Sequence, residues 1–101
     1  MNQRIDISES ELADFCVSHG IARLSLFGSR LRDAARPNSD IDLLVEFEVG
    51  RTPGFLALSA MEAELSSKLG GIPVDLRTKA DLSRYFRDAV IASAEVQYAR
   101  R

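Results

Sequence analysis

The sequence predicts a small α/β (α+β) domain in which a short mixed sheet packs with about four helices. Segments of helical and strand periodicity alternate in the order αβαβαβα, and the 101 residues are 46% hydrophobic and 28% charged, enough for one modest core. No repeat, low-complexity tract or internal linker divides them, so residues 1–101 are expected to form a single domain.

Ser8 followed by Glu11 has the form of a capping box, and Leu12, Phe15 and Cys16 then fall at helical spacing before His19 and Gly20. That predicts a first helix over 9–19. Residues 21–27 (IARLSLF) are apolar and β-compatible and end at Gly28-Ser29, which predicts a strand. Residues 29–36 suit a short helix or helical turn, and Arg36-Pro37-Asn38-Ser39 has turn composition. A second strand is expected over 41–48. Phe55, Leu58, Met61, Leu65 and Leu69 recur every three or four residues and stop at Gly70-Gly71, giving the longest helix. Residues 72–76 read as a third strand. Asp81 is placed to cap a last helix carrying Leu82, Tyr85, Phe86, Ala89, Val90 and Ala94, with 95–98 either extending it or adding an edge strand.

Thirteen basic against fifteen acidic residues give a formal charge of −2, which offers no overall pull toward a nucleic-acid backbone. Direct nucleic-acid binding is not expected. Cys16 is the single cysteine, which excludes an intrachain disulfide and a cysteine-based zinc site. The N-terminal MNQRIDISESE lacks an apolar core of the signal-peptide kind, and no stretch reaches the about 18 apolar residues of a membrane span. A cytoplasmic protein without membrane attachment is the expectation, and its small size leaves room for a homo-oligomer or a partner protein.

The chemistry is concentrated in LFGSRLRDAARPNSDIDLLVEF, residues 26–47. Alternation along a strand puts Asp40 and Asp42 on one face with Ile41 on the other. Carboxylates held that close repel, and a hard divalent cation with oxygen ligands resolves the conflict. Taken alone, an Asp-x-Asp at a strand entrance equally suits a turn end facing water. Gly28-Ser29 follows a strand and precedes a helical turn, where glycine permits close backbone approach, opening amides bind anions, and Arg30 can add a fork of donors toward phosphate. Asp75 interrupts IPVDL on a short, mostly buried strand, where a charge must be paired or metal-bound. It suits a third ligand, or else the solvent side of an edge strand or an ion pair with Arg77 or Arg84.

Gly28-Ser29, ten residues, Asp40-Ile41-Asp42 and then Asp75 on a following strand together resemble the nucleotidyltransferase superfamily of DNA polymerase beta, specifically its minimal nucleotidyltransferase (MNT) domains. The likeness covers nearly the whole chain and implies a small nucleotidyltransferase fold. It implies that Gly28 and Ser29, with Arg30, hold the triphosphate of ATP or another NTP. Asp40, Asp42 and Asp75 would be the catalytic carboxylates and the ligands of two Mg²⁺ ions, with Asp75 also assisting the acceptor hydroxyl. It further implies transfer of AMP to a hydroxyl, a tyrosine on a HEPN-type helical partner, in a toxin–antitoxin pair with this chain as antitoxin. The competing reading is a non-catalytic nucleotide-binding module that neutralises or regulates a partner by complex formation. Where family members often read GSRARG this chain reads GSRLRD, with Asp33 in the place of a glycine, which removes no ligand. Arg32 and Arg36 are weaker phosphate candidates, equally read as a solvated basic turn.

Other conspicuous residues have simpler expectations. His19 suits capping of the first helix, Cys16 a small buried hydrophobe, and Phe15, Phe55, Met61 and Phe86 core positions. Glu46 and Glu48 are expected at a solvent-exposed strand end.

Overall fold

The computed structural model describes residues 7–27 and 41–100. Helix α1 spans Glu9–His19. The Glu11 N–H donates to Ser8 Oγ at 3.2 Å while the Ser8 hydroxyl donates to Glu11 Oε1 at 3.4 Å, so the predicted cap forms, with the carboxylate on the hydroxyl. Gly20 closes the helix at φ 70°, its N–H donating to the carbonyls of Cys16 and Val17. A Cβ on Gly20 would also meet the Arg51 side chain at 2.8 Å, so glycine is required there twice over.

Strands β1 (Ile21–Phe27) and β2 (Ile41–Phe47) pair antiparallel. Helix α2 (Phe55–Lys68) then carries the chain to β3 (Val74–Arg77), which pairs parallel with β2. A 3-10 turn at Lys79–Asp81, helix α3 (Arg87–Ser93) and β4 (Glu95–Ala99) complete the chain, with β4 antiparallel on β1. The sheet is therefore mixed, in the order β3-β2-β1-β4. It bears three α-helices among the described residues; the predicted fourth, over 29–36, lies outside them.

One face of the sheet forms the core. Leu24 and Leu26 of β1 stand opposite Val45 and Leu43 of β2, and Leu43 is in turn beside Leu76 of β3. Leu12, Phe15 and Cys16 of α1 and Met61 and Leu65 of α2, with Leu69 just beyond it, pack onto this layer. Burial pushes the Cys16 thiol up to about 12, as expected of a small hydrophobe.

Three expectations need correction. Phe55 is 82% exposed rather than core, because a cleft opens between the first half of α2 and β3, and full burial on that helix begins at Met61. The last helix does not run from Asp81. The Asp81 carboxylate instead accepts from the N–H and hydroxyl of Thr78, both at 3.1 Å, and closes a single 3-10 turn. Leu82 then adopts an extended conformation, ψ 138°, which breaks the helical path and leaves Tyr85 and Phe86 exposed. His19 does not cap α1, since Gly20 does; its Nε2 lies 3.1 Å from Glu64 on α2 and its ring against Phe15. No described helix is long and apolar enough to cross a membrane.

Candidate functional site

Asp42 lies on β2 between Ile41 and Leu43, both fully buried in the core, so alternation turns its side chain to the opposite face. Asp75 occupies the corresponding place on β3, between Val74 and Leu76. The parallel register pairs Asp42 directly with Asp75, which brings two of the three predicted carboxylates side by side on one face. Two half-buried carboxylates in adjacent positions concentrate negative charge where water screens it incompletely.

The other predicted residues flank this pair in the chain. Asp42 also pairs with Phe27 at the end of β1, and Gly28, Ser29 and Arg30 follow Phe27 in sequence. Asp40 precedes Ile41. All four lie outside the described residues, as do Arg32, Asp33 and Arg36. Among the described residues no cluster of three or more metal-ligating side chains occurs, and Asp42 with Asp75 supplies two hard oxygen donors of the kind a divalent cation takes.

Asp75 also forms the ion pair anticipated as the ordinary explanation for its charge. Arg77, two residues on and hence on the same face, reaches Asp75 Oδ2 with Nε at 3.0 Å and Nη2 at 2.9 Å. Hydrogen bonding and attraction to Asp75, with smaller contributions from Asp42 and Asp81, hold the Arg77 guanidinium above its usual pKa. Arg84, the alternative partner, lies over the Tyr85 ring at 5.2 Å. Glu46 continues the Asp42 face but is not simply solvated, because Lys79 reaches it at 3.1 Å and Arg23 at 3.8 Å.

A cleft of about 610 Å³ adjoins Asp75, lined on one side by Gly54, Phe55, Leu58 and Glu62 and on the other by Asp75, Arg77 and Asp81. Glu62 Oε2 accepts the Leu76 N–H at 2.7 Å, tying α2 to the edge strand β3. Neither the cleft nor the role of Glu62 was foreseen. The available signal was the apolar pair Phe55-Leu56 ahead of the buried part of α2, which reads as core when taken by periodicity alone.

A solved structure described as a minimal nucleotidyltransferase superposes with a TM-score of 0.68 at 36% identity, covering 85% of each chain. The mixed four-stranded sheet, with helices on the core face and acidic residues on the other, is thus the small nucleotidyltransferase fold. The profile of the nucleotidyltransferase domain matches residues 9–99. This chain belongs to that family, as a minimal nucleotidyltransferase of the DNA polymerase beta-like superfamily. A Methanocaldococcus jannaschii protein named for protein adenylyltransferase activity is 36% identical over 78 residues, 77% of this chain and 81% of its own length. The protein adenylyltransferase MntA of Thermococcus cleftensis is 38% identical over 63 residues, 62% of this chain and 61% of its own. A toxin–antitoxin complex with AMP-PNP shares the fold at a TM-score of 0.72 and 22% identity, over 94% of this chain and 76% of its own.

Proposed function

We propose that the chain transfers AMP from ATP to a hydroxyl of a protein partner, a tyrosine of a HEPN-type helical protein, and serves as antitoxin to that partner. The observation that carries the reading is the register pairing of Asp42 with Asp75 beside the end of β1. The adenylyltransferase names of the sequence relatives support the reaction, and the shared fold of a toxin–antitoxin complex supports the setting.

Asp40, Asp42 and Asp75 would hold Mg²⁺, which when bound supplies charge neutralisation on the triphosphate and polarisation of the acceptor hydroxyl. The chain's own groups do the remainder. Gly28 and Ser29, with their amides, hold the β and γ phosphates, and Arg30 adds a charged contact. Asp75, which lines the cleft, orients the acceptor hydroxyl and takes its proton. The acceptor oxygen bonds to the α-phosphorus as the bond to the β-phosphate oxygen breaks, and pyrophosphate leaves. Holding acceptor and phosphorus in line supplies much of the acceleration, because it replaces a bimolecular encounter with a fixed geometry.

The test is incubation of the protein with the product of the adjoining gene, ATP and Mg²⁺, followed by intact-mass spectrometry of that product. A gain of one AMP is expected. No gain with any nucleoside triphosphate would overturn the reading.

A further inference from the structure

Asp75 Oδ2 is already engaged, so a cation or an acceptor hydroxyl that uses this oxygen meets a competing donor. That oxygen receives both Nε and Nη2 of Arg77. The parallel register sets Asp75 beside Asp42 and sets Arg77 beside Leu44 on the same face of the sheet. The guanidinium is therefore an internal cation at the carboxylate pair. Arg77 and Asp75 are both partly open to solvent, with side chains 48% and 37% exposed, so their contact is of the weak and exchangeable kind. Asp81 lines the same cleft wall and gives a displaced guanidinium another carboxylate to face.

We propose that Arg77 is a displaceable counter-ion of the carboxylate pair, a positioning residue that occupies Asp75 Oδ2 until a divalent cation takes its place. Arg77 and the incoming cation compete for one oxygen. The metal-free site thereby keeps a positive charge beside Asp75 and Asp42, and release of Arg77 frees Asp75 Oδ2 toward the cleft from which an acceptor would approach. The inference rests on the reading of Asp42 and Asp75 as metal ligands.

Calorimetric titration of the metal-stripped full chain with Mn²⁺ alone tests it. R77Q removes the charge at an exposed position, and circular dichroism confirms that the variant is folded. Because a solvent-exposed pair contributes up to about 1 kcal/mol, and 1.4 kcal/mol is tenfold, R77Q should bind Mn²⁺ more tightly than wild type by up to about fivefold. R77K retains the charge without the fork of donors and should lie between the two. R77Q binding Mn²⁺ with equal or lower affinity overturns the proposal and makes the guanidinium a prop that orients Asp75. The underlying reading is checked separately with D42N in the same titration: Mn²⁺ binding that D42N leaves unchanged removes the metal site itself, and this inference with it.

Discussion

The two faces of β2 set stability and chemistry side by side within a single strand. On the core face Ile41, Leu43 and Val45 are at most 3% exposed and carry no charge. On the other face Asp42 stands beside Asp75, and Glu46 is held by Lys79 and Arg23. The core face is specified by apolar area alone and tolerates no charge, whereas the other face carries charges that are partly open to water, with Asp75 and Glu46 held by counter-charges. Since strand side chains alternate, a slip of one residue would exchange the two sets, and the burial of Leu43 therefore aims Asp42.

Three measurements can break or sharpen that contrast. The largest effect is expected from Asp42→Asn. Losing several kcal/mol of charge stabilisation, at 1.4 kcal/mol per tenfold, should lower AMP transfer on the order of a thousandfold while the melting temperature holds. Retained partner binding with transfer abolished identifies an enzyme, and unchanged neutralisation of the partner identifies the non-catalytic module instead. Next, Leu43→Ala, one residue along and on the opposite face, should cost about 3 kcal/mol in urea unfolding through lost burial and a cavity. Its transfer rate per folded molecule should stay within about threefold of wild type, as for a substitution outside the reacting groups. A catalytic loss as large as that of Asp42→Asn in folded protein would show that the faces are not separable.

The last effect, absent at neutral pH and confined to the alkaline range, is a pH dependence from the core side. The folded pKa of Cys16 is raised by burial from 9.0 to about 12, so the folded state holds the thiol proton more tightly than the unfolded chain. Its stabilising contribution is fully present below pH 9 and is lost as pH rises through about 12. Denaturant midpoints measured across that window should fall in wild type and fall less in Cys16→Ala. An equal decline in both would place the alkaline sensitivity elsewhere.

Much of this arrangement was legible in the residues. Helix α1 has the predicted bounds because Ser8 caps its start and Gly20 alone can close it at positive φ. Strands β1 and β2 follow from apolar β-compatible runs ended by turn residues, and period-two alternation by itself turns Asp42 away from Ile41 and Leu43. The region after β3 was less legible. Helical spacing from Leu82 to Ala94 is present in the sequence, yet Thr78 and Asp81 close a local turn and α3 starts only at Arg87. Phe55 has the right period for burial, but period says nothing about whether another element lies beneath.

Local chemistry is what the sequence by itself determined: which segments coil or extend, where they stop, and which residue types share a side, because caps, turns and alternation depend on neighbours within a few positions. Tertiary structure alone decided that β4 adds to β1, that β3 lies parallel to β2 so that Asp75 meets Asp42, and that α2 leaves a cleft against β3 lined by Asp75 and Arg77. Those contacts join chain positions far apart or depend on which faces meet, and packing of whole elements, rather than local preference, selects among them.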